Sequence, residues 1–225
     1  MINQAKTLVA EIMKKDNSGH GMDHINRVLS LAIKFAEHEN CNKEWVALGA
    51  LLHDVDDYKL FGSKNQAELT NANIILNKIK ASEDTKQAVL DIVAKVGFSK
   101  RQKGICPNSI EGKIVSDADM CDALGASGIL RTFHYSISNN QEFFNKEIWP
   151  MESFDINKYT SNCAVGVCHI FDKILKLKGL MLTDSGKREA GSRHNFVISF
   201  LRQYFIEEQA DDWINYLNKY LKNQE

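Results

Sequence analysis

Proline lacks a backbone donor and collides with the preceding turn of a helix, so its placement limits where long helices can run. This chain of 225 residues contains only two, Pro107 and Pro150. Folds assembled from many short strands need proline- and glycine-rich turns every few residues, and that punctuation is missing. All-β folds are close to excluded, and the expected class is all-α. The length suits a single domain with a sizeable core. A content of 44% hydrophobic and 25% charged residues supplies that core with an ordinary globular surface around it.

The charge balance removes several partners. With 28 basic against 29 acidic residues and no basic stripe, nucleic acid is not an expected ligand. No run of 18 apolar residues occurs, so no membrane span is expected. The opening MINQAKTLVAEIMKK has helical spacing without an h-region or a small-residue cleavage site, and reads as a helix rather than a signal peptide. Five scattered cysteines with no Cys-x-x-Cys pair fit reduced thiols in a cytoplasmic protein. A homodimer stays open.

Apolar periodicity predicts helices over residues 2–15, 22–39 and 43–55. The third of these is apolar nearly all round (Trp45, Val46, Ala47, Leu48, Ala50, Leu51, Leu52) and belongs at the centre of a bundle. Further helices are expected at about 64–80, 82–96, 109–124, 125–137, 160–178, 184–208 and 210–222. The stretch Ser138–Asp155 reads as a surface excursion, and no linker or repeat divides the chain.

Phosphate-loop, dinucleotide-fingerprint, H-E-x-x-H and G-x-S-x-G signatures are all absent. Asp117-Ala-Asp119-Met-Cys-Asp122 begins like a calcium loop but lacks its glycine and its closing glutamate. What remains is His and Asp in apolar surroundings. His53 and Asp54 end the most apolar helix, where a carboxylate needs donors or a cation. A helix-end doublet can also meet solvent and cap the chain. Adjacent helical residues point about 100° apart, so one cation beside the helix end can touch both. His24 lies one turn before Val28 on the apolar stripe of its helix, and Asp119 sits among Ile114, Val115, Ala118 and Ala123. Alone, either residue reads as a satisfied core group. Two imidazoles and two carboxylates from three apolar helices read as a metal site.

In the order His24, His53-Asp54, Asp119, with the flanking strings H-x-x-R-V, L-L-H-D and D-A-D-x-x-D-A, the chain resembles the HD-domain metal-dependent phosphohydrolases. The likeness continues through His169-Ile-Phe-Asp-Lys-Ile-Leu-Lys-Leu-Lys-Gly-Leu-Met, Thr183-Asp-Ser-Gly-Lys and Arg193-His194-Asn-Phe. These segments are similar to a bacterial subgroup that includes nucleotide pyrophosphatases. The resemblance covers about residues 1–208 and leaves the last helix unassigned.

It implies a single HD-type helical domain with a metal-binding core at about 18–125, completed by C-terminal helices at about 160–222. It also implies that His24, His53, Asp54 and Asp119 are the ligands of one divalent metal. Imidazole and carboxylate without thiolate suit Mn²⁺, Mg²⁺, Co²⁺, Ni²⁺ or Fe²⁺, with Mn²⁺ favoured, over structural zinc. The implied reaction is hydrolysis of a (deoxy)nucleoside triphosphate to monophosphate and pyrophosphate by metal-activated water. The alternatives are a phosphomonoesterase, a phosphodiesterase, or a regulatory metal-binding module with little turnover. Around the ligands, Asp57 is placed one turn on to orient or deprotonate water, and it reads equally as a solvated helix-end carboxylate. His20 is placed to touch substrate or water. Arg27, Lys59, Lys113, Arg193 and His194 are the expected phosphate contacts, although Arg193 and His194 also read as helix-surface charges.

Overall fold

The computed structural model describes residues 1–14, 21–151 and 165–223. Among these the chain is all-α: helices, one 3₁₀ segment and a lone parallel bridge between Glu142 and Val165, with no strand. It forms two compact units. One comprises Met1–Asp122 with Leu180–Arg188, and the other Ala123–Gly179 with Glu189–Glu225. None of the described helices is long and apolar enough to cross a membrane.

In the first unit, α1 (Ile2–Met13) buries Ala5, Val9 and Met13 at four-residue spacing. Helix α2 (Met22–Ala36) buries a stripe through Ile25, Val28, Leu29, Ala32 and Phe35, and His24 belongs to that stripe. Helix α3 (Lys43–Leu52) starts where the Asn42 side chain accepts from the N–H groups of Glu44 and Trp45. Every residue from Val46 to Leu52 is buried. It stops at Leu52, so His53 and Asp54 lie in the turn that follows rather than within a helix running to residue 55.

The expected helix 64–80 is two helices. Helix α4 (Tyr58–Glu68) is kinked at Gly62, and α5 (Thr70–Lys78) begins after Leu69, which adopts a left-handed conformation at φ 48°. The cause lies outside the segment. The buried Asp56 carboxylate accepts from Asn71 N–H (2.8 Å) and Ala72 N–H (2.9 Å), capturing free donors of the first turn of α5 and setting its start.

Helix α6 (Glu83–Lys95) begins at the Ser82 cap. A short α7 (Phe98–Gln102), not foreseen from the sequence, follows Gly97 at φ 126°, a conformation closed to other residues. Helix α8 (Ile110–Asp122) packs on both α2 and α3, and α3 packs on α6. The α3–α6 approach depends on Gly49, where a Cβ would come within 2.9 Å of Ile92 Cγ2.

The second unit holds α9 (Gly125–Ser138), α10 (Gly166–Asp172), most of a 3₁₀ segment (Ile174–Leu180), all but the first turn of α11 (Asp184–Glu207), and α12 (Asp211–Lys222). The helix expected at 160–178 breaks at Lys173, and its residues 160–164 lie outside the described residues. Its interior is aromatic. Trp149 stacks on Trp213 with centroids 4.4 Å apart, and Phe144, Phe171 and Phe205 all meet Trp213. The excursion expected after Ser138 does run over the surface in its described part, and it is anchored there by Phe143, Phe144 and Trp149, which pack into this cluster.

Candidate metal centre

Four side chains of the first unit converge. His24 on α2 and His53 after α3 bring their Nε2 atoms to 3.1 Å. Asp54 Oδ2 lies 3.4 Å from each of these nitrogens. Asp119 Oδ1, from α8, lies 3.6 Å from His24 Nε2 and 3.8 Å from His53 Nε2. His24, His53 and Asp119 each offer one ligand atom within 4.8 Å of the others. The metal ligands expected from the sequence are therefore brought together from three separate elements.

The hydrogen bonds behind the imidazoles set their inward faces. His53 Nδ1 is 2.8 Å from the Ala50 carbonyl oxygen, which can only accept, so Nδ1 carries the hydrogen. His24 Nδ1 is 2.7 Å from Asp122 Oδ2 and donates to it in the same way. In the neutral tautomers that these partners select, both Nε2 lone pairs point into the cluster. Two lone-pair nitrogens and two carboxylate oxygens facing one another repel unless positive charge lies among them.

Protons alone would have to supply that charge in part. Burial pulls the pKa of His53 down, but the charge and hydrogen bond of Asp54, then the charge of Asp119, outweigh it and raise the value to about 9. Burial likewise opposes protonation of His24, and hydrogen bonds to Asp122 and then Asp54 overcome it. A cation among the four would replace those protons. The spacing is close to what one ion needs: donors about 2.1 Å from a common ion are about 3.0 Å apart at right angles and about 3.4 Å apart at tetrahedral angles. With N and O donors and no thiolate, the set suits a divalent cation.

Asp122 is the functional residue that sequence reasoning passed over. It is fully buried and bound by Arg27, through Nε to Oδ1 at 2.7 Å and Nη2 to Oδ2 at 3.1 Å. Arg27, expected to fork a phosphate, thus directs two nitrogens to a carboxylate that in turn orients His24. A signal existed. Asp122 lies three residues after Asp119, on the same face of α8.

The other expected site residues are placed as follows. Asp57 is half-buried in the turn after the doublet, and its N–H donates to the Asp54 carbonyl at 3.1 Å. Lys113 is half-buried on α8. His20 and the Lys59 side chain lie outside the described residues. Arg193 and His194 belong to the second unit. There Arg193 Nε pairs with Glu189 at 2.8 Å and its stem packs on Gly125. His194 is buried, and burial followed by the charge of Lys178 holds its pKa down. Asp117 is not a calcium ligand: fully buried, it accepts from Leu182 N–H, Thr183 N–H and the Thr183 hydroxyl. A Cβ on Gly186 would come within 2.2 Å of Asp117 Oδ2, which explains the glycine in the Thr183-Asp-Ser-Gly-Lys segment.

Comparison with known proteins agrees with this geometry. Residues 21–124 match the HD domain family model. YpgQ of Bacillus subtilis, an uncharacterized protein, is 32% identical over 203 residues, covering 89% of this chain and 90% of its own. A crystal structure from Lactobacillus plantarum superposes with a TM-score of 0.79 at 32% identity, covering 93% of this chain and 97% of that one. An HD-superfamily hydrolase from Bacillus thuringiensis does so with a TM-score of 0.73 at 34% identity, with the same coverages. YpgQ in complex with ADP gives a TM-score of 0.69 at 28% identity, covering 92% of this chain and 97% of that one. The matched residues span the whole His/Asp cluster, and the likeness runs almost the full length on either side of it: the chain belongs to the HD domain family.

Proposed function

We propose that this chain is a metal-dependent phosphohydrolase acting on nucleotides, and within that class a nucleotide pyrophosphatase. The reaction adds water at the α-phosphorus of a (deoxy)nucleoside triphosphate and breaks its bond to the bridging oxygen, releasing monophosphate and pyrophosphate. One observation carries the reading: four hard or borderline donors converge, and two of them are imidazole nitrogens turned inward by partners behind them. The crystal structure of the relative YpgQ in complex with ADP supports a nucleotide as the substrate class. The tail segments that resemble the pyrophosphatase subgroup support the bond.

In this reading His24, His53, Asp54 and Asp119 hold the ion, with Mn²⁺ favoured. A divalent cation held there lowers the pKa of a water and offsets charge on the phosphate under attack. The chain's own groups do the rest. Asp122 and Arg27 keep His24 facing inward, and the Asp57 carboxylate takes up the proton of the attacking water. The four described cysteines, Cys41, Cys106, Cys121 and Cys168, are free thiols, which supports a cytoplasmic setting.

A panel of nucleotides incubated with Mn²⁺ and the protein, with products separated by chromatography, tests the proposal. Monophosphate and pyrophosphate from a triphosphate are expected. Orthophosphate from a monophosphate would replace the pyrophosphatase reading with a phosphomonoesterase. Unchanged activity in Asp119→Ala would overturn the metal assignment itself.

A further inference from the structure

Helix α9 is built the wrong way round for a helix that faces water. It buries Gly125, Gly128, Ile129, Thr132 and Ser136, which are mostly small or hydroxylated. Both hydroxyls are spent within the helix: Thr132 Oγ1 donates to the Gly128 carbonyl at 2.9 Å, and Ser136 Oγ to the Thr132 carbonyl at 3.1 Å. The large apolar side chains face outward instead, with Leu130 68% exposed, Ile137 58% and Phe133 45%. At three- and four-residue spacing they form one stripe. A solvent-facing helix shows the reverse, as α12 does by exposing Asp211, Asp212, Asn215, Lys219 and Lys222.

The stripe continues onto α11. Phe133 meets Phe143 edge to face with centroids 5.4 Å apart, Phe143 meets Tyr204 at 5.7 Å, and Tyr204 stacks on Phe200 at 5.7 Å. One turn before Phe200, Phe196 is 51% exposed. At about 200 Å² for a large side chain, the four exposed residues and the half-buried rings between them present roughly 500 Å² of apolar surface. The largest patch on a monomer is about 300–600 Å², so this one lies at the upper end. It matches what a stable dimer needs: about 800 Å² from each partner, of which about 65% is apolar in homodimers.

Charge selects the partner. In a two-fold pairing the same face meets itself, so like charges would repel across it. The exposed residues of α9 are Ala126, His134, Tyr135, Ser138 and the apolar stripe, with no Asp, Glu, Lys or Arg among them. Asn195, Phe196 and Ser199 continue that neutrality on α11. Such a face offers no grip to a charged partner and no penalty to its own copy. We infer that the chain forms a homodimer through this face, with α9 packed on α9 of a second copy and Phe196 within the same interface. All of these residues belong to the second unit and the metal cluster to the first, so the dimer stands apart from the phosphohydrolase reading.

Sedimentation equilibrium of the full chain tests the dimer, with wild type beside Leu130→Glu, Phe196→Glu and Ile74→Glu. Wild type is expected at twice the chain mass of 25.5 kDa. Leu130→Glu and Phe196→Glu each set carboxylates into an apolar interface and should weaken dimerisation about a hundredfold or more. Ile74→Glu alters a side chain that is 45% exposed on α5 of the first unit and should leave the dimer intact. Thermal melts show which variants fold, and because Leu130 and Phe196 lie on different helices either one suffices. A wild type at the single-chain mass overturns the proposal. So does a folded Leu130→Glu or Phe196→Glu that dimerises like wild type, or an Ile74→Glu that dissociates as far as they do.

Discussion

The two units solve the problem of an interior in opposite ways. The second fills its centre with rings: Trp213 is 1% exposed and is met by Phe144, Trp149, Phe171, Phe205 and Tyr216. The first buries ionisable groups where helices α2, α3 and α8 meet, among them His24, His53, Asp117 and Asp122. Rings are stabilised by area removed from water and by edge-to-face packing, and they tolerate neighbours of many shapes. Buried carboxylates and imidazoles are stable only when every partner is in place. Here each has one: Arg27 for Asp122, Asp122 for His24, Ala50 O for His53, and the 182–183 backbone for Asp117. Both units have apolar cores, and the contrast lies in what is set at the centre of each: rings in one, a cluster of ionisable groups in the other.

Substitutions can break or sharpen that division. The largest effect is expected from Asp119→Ala, which should abolish Mn²⁺-dependent hydrolysis. At Mn²⁺ about a hundredfold above its Kd, wild type should gain about 2.7 kcal/mol of stability and this variant none, read by thermal melts with and without the metal. Trp213→Ala should cost about 3–5 kcal/mol in urea unfolding, the usual penalty for emptying a core of so large a side chain. Its Mn²⁺ affinity should stay at the wild-type value, and a loss there would break the division. Asp122→Asn keeps the shape of the group that orients His24 and removes its charge. Calorimetry should show Mn²⁺ affinity down by about ten- to a hundredfold with Trp213 fluorescence unchanged. The smallest effect is expected from Asp56→Ala, which removes the acceptor at the start of α5 and should cost about 1–2 kcal/mol. Faster amide exchange at Asn71 and Ala72 would locate that loss.

Much of the fold was legible because helices are local. Apolar residues recurring every three to four positions marked α1, α2, α6, α8, α9, α11 and α12 within a few residues. The errors fell where a distant group intervenes. Residues 64–80 have the composition of one helix, yet Asp56 takes the donors at Asn71 and Ala72 and fixes a second start. The stretch after Ser138 does run over the surface, and only its anchoring was missed, because Phe143, Phe144 and Trp149 find ring partners as far along as Tyr204 and Trp213. The site divides in the same way. His24, His53, Asp54 and Asp119 could be picked out as polar groups in apolar company. That Arg27 is held by Asp122 could not be read there, because the partner comes from a distant helix.

The sequence by itself determined the helical class, through the scarcity of proline and the spacing of apolar residues, and the identity of the four converging side chains. Only the tertiary structure decided what stands behind them. Whether Arg27 forks a phosphate or a carboxylate depends on a partner 95 residues away, which no local pattern encodes. The direction of each imidazole depends on which acceptor lies at its Nδ1, and only packing of α8 against α2 places Asp122 there. Residue type sets what a group can bind, and the neighbours it is packed against determine what it binds.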